Sequence, residues 1–195
     1  MKFLRLRRRR DRTPGAIGKK RRGFSFGSLI FCSLVLFPFL AGTGGAVEEA
    51  RGAATVAEVN HVPITAAAVD EAVQAYLRQI GHRELSPSRM AELRRELLER
   101  LIEDELIYQE GIKKGETVGD GELEAEAARL RNRFPSQEAY ESALEKENLS
   151  RAQIEAGLRR FILIRKTWDA ASSMTEEGKR NWLKQMREHS EIKIY

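Results

Sequence analysis

The sequence predicts a mainly α-helical domain of about six helices, with a small β-sheet formed by an N-terminal hairpin and a C-terminal strand. Three observations support this fold class. A long amphipathic stretch lies near the middle of the chain, capping residues precede several shorter periodic stretches, and short β-prone runs lie at 55–64 and 191–195. Apolar residues spaced by three and four positions indicate helices, whereas strict alternation indicates strands.

The longest periodic stretch, 88–114, is the helix around which we expect the domain to pack. Ser86 can accept a hydrogen bond from the first turn, and Pro87 suits the first helical position, which needs no N–H donor. Gly115 suits the left-handed residue that ends many helices. A stripe of apolar residues this wide predicts burial against several neighbours. Its members are Met90, Leu93, Leu97, Leu98, Leu101, Ile102, Leu106 and Ile112.

Five further helices are predicted from capping residues that precede periodic apolar positions. The capping residues are Thr65, Asp120, Ser136, Ser150 and, for the last helix, Thr175 or Ser173. The helix after Thr65 is expected to run to about Ile80, and the helix after Asp120 to about Arg133. Ser150 is followed three residues later by Gln153, so the two side chains can form a capping box.

Two β-prone runs, Thr55–Val59 and Val62–Ile64, are joined by Asn60 and His61. This spacing predicts a β-hairpin with a two-residue turn, in which asparagine tolerates a positive φ and histidine stands where glycine is preferred.

The chain ends in a short alternating run, 191–195. Ile192 and Ile194 fall on one face of a strand, so we expect that face to be apolar, to need a partner and to bury both isoleucines. Because an isolated two-stranded hairpin is marginal in water, we expect this C-terminal strand to pair with the N-terminal hairpin.

Residues 1–46 have the three parts of an export signal, and we expect a linker over 47–54 and the folded domain over 55–195. The three parts are a basic region (2–22), an apolar run (24–40) and small residues before a cleavage position (41–46). The apolar run is at the lower limit for a spanning helix, which favours a cleaved signal over an uncleaved anchor. A periplasmic location is therefore predicted; an uncleaved segment would instead anchor the domain in the inner membrane, facing the periplasm. The export route, general secretory or twin-arginine, stays open.

The formal net charge of +5 comes from the leader. Eleven of the 34 lysines and arginines lie in 1–46 with one acid, so 47–195 holds 23 basic and 28 acidic residues. Binding to a phosphate backbone needs a clustered basic face. The domain is therefore not predicted to bind nucleic acid, and membrane contact is expected only through the N-terminal segment if it is uncleaved.

No pattern in the sequence indicates a catalytic, cofactor or metal site. The single cysteine, Cys32, lies in the leader, and His61, His82 and His189 have no second ligand at helical spacing. The acidic runs 103–105 and 122–126 are predicted to be solvated helix faces. No nucleotide-binding glycine pattern and no serine nucleophile motif is present.

The stretches ELLERLIEDELIYQEGIKKGETVGDGELEAEAARLRNRF and FPSQEAYESALEKENLSRAQIEAGLRRFILIRK closely resemble the N-terminal chaperone domain of the SurA family of periplasmic folding factors. The run VNHVPIT at 59–65 is similar to the strand, turn and helix start that open that domain. The resemblance covers roughly Thr55 to Lys166.

The resemblance implies an arrangement that this chain lacks in part. In the family, one or two parvulin-type prolyl isomerase domains follow the long helix, and a final helix and strand return to the N-terminal domain. Here Lys166 is followed closely by Glu176 and the run WLKQMREHSEIKIY, which is similar to that returning helix and strand. The isomerase insertion is missing between them, so the chain is not expected to be an isomerase itself.

The leading functional hypothesis is an ATP-independent holdase for unfolded exported polypeptides, with outer-membrane proteins among the implied clients. Two alternatives stay open. One is a peptidyl-prolyl isomerase, or the accessory subunit of one whose catalytic domain lies on another chain. The other is a membrane-tethered interaction module, which requires that the leader is retained.

The resemblance implies a groove for extended, aromatic-rich client segments but supplies no motif residue for it. The candidate client-binding residues are Tyr76, Tyr108 and Trp182. A second set of aromatic residues at helical spacing is a possible peptide-binding stripe but is better explained as core. Its members are Phe134, Tyr140, Phe161 and Trp168.

Overall fold

A computed structural model describes residues 54–81, 84–171 and 174–195 of the chain. The predicted export segment, its cysteine and residues 47–53 of the predicted linker lie outside the described residues. So do His82 and Ser173.

Within the described ranges the fold is mainly α, with six helices and one three-stranded sheet, as the sequence predicts. The elements in chain order are β1 (Thr55–Val59), β2 (Val62–Thr65), α1 (Ala66–Gln79), α2 (Pro87–Lys113), α3 (Asp120–Arg131), α4 (Gln137–Lys146), α5 (Arg151–Ala170), α6 (Glu176–Glu188) and β3 (Ile192–Ile194).

Most of the predicted helix starts are confirmed by side-chain caps. The hydroxyl groups of the N-cap residues accept hydrogen bonds from backbone N–H groups of the first turn. These residues are Thr65, Ser86, Ser136, Ser150 and Thr175. The capping box of Ser150 and Gln153 is also present.

The predicted cap of α3 is wrong. Asp120 is the first helical residue, and Gly119 is the N-cap. The carboxylate of Glu122, the third residue of the helix, accepts a hydrogen bond from the Gly119 N–H at 2.9 Å, so this backbone N–H has a partner. The helix ends at Arg131, two residues before the predicted end at Arg133.

The two-residue hairpin turn has the positive φ values that were predicted for it. Asn60 and His61 have φ values of 48° and 67°, so both adopt the left-handed conformation of a two-residue turn whose twist matches the flanking strands. Gly115 has a φ of 72° and ends α2 as expected.

The sheet has the order β2-β1-β3, so the predicted pairing of the C-terminal strand with the hairpin is confirmed. β3 runs antiparallel to β1, with Ile194 opposite Ala57 and Ile192 opposite Val59. The Tyr195 N–H donates to the Val56 carbonyl at 3.0 Å. However, the expected burial of both isoleucines is wrong, because Ile194 is 54% exposed. β3 is only three residues long and lies at the sheet edge, so its apolar face is covered only at Ile192.

The central helix α2 buries apolar residues on two sides. One side packs with the hairpin and α1 in a first hydrophobic cluster, and the other faces α5. Ile107 is fully buried although it lies outside the predicted stripe, because two neighbouring surfaces require more than one apolar face. The buried members of the first cluster are Ala57, Val59, Ile64, Ala68, Val69, Leu101, Ile102 and Leu106.

One member of the predicted stripe is exposed, and Met90, Leu97 and Leu98 are half-buried. Ile112 is 55% exposed, whereas its neighbour Gly111 faces α5. A Cβ atom at Gly111 would lie too close to the Thr167 hydroxyl and 3.2 Å from Leu163. The approach of the two helices at this point therefore leaves no room for a larger side chain, and the next residue, about 100° around the helix, points away from the contact.

A second hydrophobic cluster joins α3, α4 and the first half of α5. Its buried members are Leu130, Leu144, Leu149, Ile154 and Leu158. α5 thus packs with α2 along part of its length and with the α3–α4 pair along another part. Over the described ranges, no helix has the length and apolar composition needed to cross a bilayer.

We expect removal of β3 to lower the stability of the whole domain by a small amount. Truncation of the full chain after Ser190 removes a three-residue ladder and a half-buried isoleucine, worth about 1–2 kcal/mol. The thermal midpoint followed by circular dichroism should fall by about 3–8 °C in one cooperative transition. The control Lys193→Ala, which alters a solvent-facing side chain of β3, should melt within about 2 °C of the natural chain. An unchanged midpoint after truncation would show that β3 contributes nothing to the fold.

Candidate functional site

Two tryptophan side chains lie together where the end of α5 meets α6. The Trp168 and Trp182 ring centres are 6.1 Å apart with an interplanar angle of 45°. Both residues are half-buried, so part of each remains accessible. Adjacent aromatic rings supply a large apolar surface with little conformational freedom, which suits transient contact with apolar side chains.

Two lysine side chains lie beside the tryptophans. Lys114 Nζ, at the end of α2, is 5.6 Å from the Trp182 ring centre, and Lys179 Nζ, on α6, is 5.5 Å from that of Trp168. Cations over ring faces are attracted by the ring quadrupole. We call these four residues the tryptophan patch. Exposed Ile112 and Met174 lie on the segments that lead into it.

The three predicted client-binding residues lie at different places. Trp182 belongs to the tryptophan patch, Tyr108 is half-buried on α2 and Tyr76 is half-buried near the end of α1. The Arg160 guanidinium lies over the Tyr108 ring, 4.0 Å from its centre. No ring contact among the described residues joins the three side chains to one another.

The aromatic residues interpreted as core are all half-buried. Phe134 and Tyr140 pack against the second cluster, with ring centres 5.3 Å apart in an edge-to-face arrangement. Phe161 lies under the Arg165 guanidinium at 5.3 Å. Trp168, in the tryptophan patch, is therefore the member of this set that lies beside a predicted client-binding residue.

A charged residue that was predicted to face water lies between α2 and α5. The Glu105 side chain is 2% exposed and forms an ion pair with Arg160 of α5. The prediction of a solvated acidic run is wrong here. Glu105 follows Leu101 by four positions and Ile102 by three, so it falls on the buried stripe, and this spacing was the signal in the sequence.

A chain of hydrogen bonds extends from this ion pair to the hairpin turn. Gln109 Nε2 donates to Glu105 Oε1 at 2.5 Å and to the Val59 carbonyl at 3.3 Å. Asn60 Nδ2 donates to Gln109 Oε1 at 2.6 Å. The chain Arg160–Glu105–Gln109–Asn60 thus connects α5, α2 and the turn between β1 and β2.

Asn60 also holds the segment that precedes β3. Its Oδ1 accepts from the Glu191 N–H at 2.8 Å, its N–H donates to the Glu191 carbonyl at 2.8 Å, and its Nδ2 lies 3.3 Å from Ser190 Oγ. One side chain in a turn therefore fastens the C-terminal segment to the central helix.

A second buried carboxylate lies on α3. The Glu126 side chain is almost fully buried, and its Oε2 accepts from Arg129 at 2.9 Å and from Arg165 of α5 at 2.8 Å. The prediction that the run 122–126 faces water is therefore wrong at Glu126, because α5 covers that side of α3. This pair links α3 to α5.

Asp104 lies beside the buried ion pair without a hydrogen bond to its Oδ1 atom. Burial raises the pKa of its carboxyl to about 6, and the Glu103 charge acts in the same direction, while Arg100 and Arg160 oppose the shift. Burial also raises the pKa of Glu103. The protonated form of Asp104 is thus favoured below about pH 6.

The comparison with known families decides which family this arrangement belongs to. A family model described as a SurA-like N-terminal domain matches residues 19–168. The chain belongs to this family. No curated protein matches the sequence. The matched SurA-like region ends at Trp168, so α6 and β3 lie beyond it, and no parvulin domain is detected in the chain.

Over the residues that the structure describes, the SurA-like domain presents half-buried aromatic surface and buried ion pairs. In 54–81, 84–171 and 174–195, no group of three or more histidine, cysteine, aspartate or glutamate side chains is placed to hold a metal ion. What the geometry can do chemically is to present half-buried aromatic and exposed apolar side chains next to cations.

We expect the buried ion pair to be required for stability. Glu105→Gln keeps the shape and the hydrogen bond from Gln109 but leaves the Arg160 guanidinium without its closest counter-charge, at a cost of about 2–4 kcal/mol in the free energy of unfolding. Urea unfolding followed by circular dichroism measures this change. The matched variant Glu155→Gln removes an exposed carboxylate that pairs with Arg159 at 3.0 Å. It should change the free energy of unfolding by less than about 0.5 kcal/mol. Equal effects of the two variants would contradict the role of Glu105.

We expect Asp104 to destabilise the domain at neutral pH. Its pKa is higher in the folded than in the unfolded state, so the folded domain loses stability as pH rises from about 4 through about 6. The side chain is 29% exposed, which reduces the cost of its charge to about 1 kcal/mol. Asp104→Asn should therefore raise the unfolding free energy at pH 7.5 and lose this advantage near pH 4.

Urea unfolding at both pH values tests the Asp104 prediction. Asp169→Asn, at an exposed position of α5, is the control and should show no such pH-dependent gain. A gain for Asp104→Asn that is as large at pH 4 as at pH 7.5 would show that the carboxylate charge is not the cause.

Proposed function

We propose that this SurA-like domain is an ATP-independent holdase in the periplasm, which binds unfolded exported polypeptides, among them segments of outer-membrane proteins. The observation that carries the proposal is membership of the SurA-like N-terminal domain family across residues 19–168. The tryptophan patch supports it, because accessible aromatic surface beside cations suits weak contact with apolar client segments.

Passive binding follows from the kind of surface available. Contacts with half-buried rings and exposed aliphatic side chains are weak singly, and ordering an unfolded chain costs free energy. A client would therefore exchange without an energy source and bind at several points. The leader supports delivery to the periplasm, since its basic region precedes the apolar run.

The full chain should suppress aggregation of a urea-unfolded outer-membrane β-barrel protein on dilution, at an equimolar ratio and without ATP. Light scattering measures the suppression. Trp182→Ala should raise the chain concentration needed for half-suppression several-fold. The control Tyr140→Ala removes a ring of the second cluster and should leave that concentration unchanged. Circular dichroism verifies that both variants are folded.

Unchanged scattering at a several-fold excess of the chain would refute the holdase function. A prolyl isomerisation assay on a short peptide, run on the same sample, tests the enzyme alternative. Uncatalysed exchange takes tens of seconds or more, so a rate that rises in proportion to protein concentration would be readily visible.

A further inference from the structure

The C-terminal segment formed by α6 and β3 is attached to the domain with little burial. α6 contains no buried residue, and in β3 only Ile192 is half-buried. Ile194 is 54% exposed and Tyr195 is 71% exposed. The neighbouring strand β1 is different, because Ala57 and Val59 are fully buried.

The contacts that hold this segment are mostly near the surface. Arg187 on α6 pairs with Glu99 on α2 at 2.9 Å, and both side chains are partly exposed. Trp182 packs against Trp168 of α5, and both side chains are half-buried. Met186 and Ile192, also half-buried, pack on the first cluster. Exposed ion pairs contribute little to stability, so detachment of α6 and β3 should cost less than unfolding of the core.

Detachment would uncover an edge of β1 with unpaired backbone groups. The Tyr195 N–H donates to the Val56 carbonyl and the Asn60 N–H donates to the Glu191 carbonyl. Because ladder bonds alternate along a strand, Val56, Glu58 and Asn60 direct their backbone groups to the β3 side. A free edge of this kind is a template for another strand.

The opposite edge of the sheet is protected. If Val56 and Glu58 bond towards β3, then Ala57 and Val59 bond towards β2, where they face Ile64 and Val62. Pro63 between them therefore occupies the outward position, where it has no N–H to donate. Proline at such a position blocks strand addition.

The strand now seated on β1 shows what fits this edge. Residues 191–195 place Ile192 opposite Val59 and Ile194 opposite Ala57, with a charged or polar residue at each alternate position. An extended strand with apolar residues at every second position is also what an unfolded β-barrel segment offers.

We propose that the edge of β1 is a binding position for an extended polypeptide strand with apolar residues at alternate positions, and that β3 is its resident, displaceable occupant. A client strand would replace β3 in the antiparallel register. Backbone hydrogen bonds would supply affinity that does not depend on the client sequence. The two positions opposite Ala57 and Val59 would supply the preference for apolar side chains. The identification of the competing strand as part of a client rests on the proposed holdase function.

A labelled copy of the resident strand tests the exchange directly. The probe is a fluorescein-labelled peptide of residues 188–195, with its binding to the full chain followed by fluorescence anisotropy. Truncation after Ser190 should tighten binding at least tenfold, because the edge is vacated. Asn60→Gly keeps the left-handed turn but removes the side-chain hydrogen bonds to residues 190–191. It should tighten peptide binding by a smaller factor than the truncation does. A matched peptide with Lys193→Pro should not bind, since that N–H faces β1.

A reversible cross-link gives the complementary measurement in a chain that keeps all its elements. Glu58 and Lys193 lie opposite each other across β1 and β3. Opposite residues of an antiparallel pair have Cα atoms about 4.5–5.5 Å apart, a separation that a disulfide can span. The variant carries Glu58→Cys and Lys193→Cys, with Cys32→Ser to remove the single natural cysteine. Oxidation should weaken peptide binding more than tenfold, and reduction of the same sample should restore it.

Equal peptide binding by the oxidised and reduced forms would overturn the proposal, whether or not the truncated chain folds. So would a truncated, folded chain that binds no better than the full one. The aggregation assay separates this inference from the holdase function. Full suppression by the oxidised form would show that clients do not use the β1 edge while the holdase function stands. Failure of every form to suppress aggregation would refute the holdase function and leave the peptide result to decide the exchange.

Discussion

The ion pair between Glu105 and Arg160 lies inside the contact between α2 and α5, and the rest of the domain is arranged on the two sides of that contact. On one side α2 packs with the hairpin and α1, and on the other α5 packs with α3 and α4. A buried carboxylate requires its partners in place, so the pair fixes the register of the two helices. The close approach at Gly111 sets their distance.

The same network explains how a weakly buried C-terminal segment returns to a defined place. Glu105 holds Gln109, Gln109 holds Asn60, and Asn60 holds Glu191 at the start of β3. Each step is a directed hydrogen bond, which specifies position without requiring much apolar burial. The segment is therefore positioned accurately and held weakly, a combination that suits an element exchanged during binding.

Local signals were sufficient for most of the fold. Caps such as Ser86 and Ser150, and the alternation at 191–195, are decided by neighbours in the chain, and the structure agrees with them. Burial depends on which element lies opposite. Glu105 was therefore misassigned although its spacing places it on the stripe, and Ile194 was expected to be buried although it lies at an exposed edge. The tryptophan patch could not be predicted, because its residues come from α5, α6 and the end of α2, whose packing no short-range pattern determines.

The most direct test of this account is native-state amide hydrogen exchange. The Asn60 and Tyr195 N–H groups bond across β1 and β3, whereas the Ile102 N–H lies in the centre of α2. If α6 and β3 detach while the core stays folded, Asn60 and Tyr195 should exchange through an opening that costs clearly less free energy than that for Ile102. Equal opening free energies for all three amides would mean that the C-terminal segment leaves only when the whole domain unfolds, which contradicts the account.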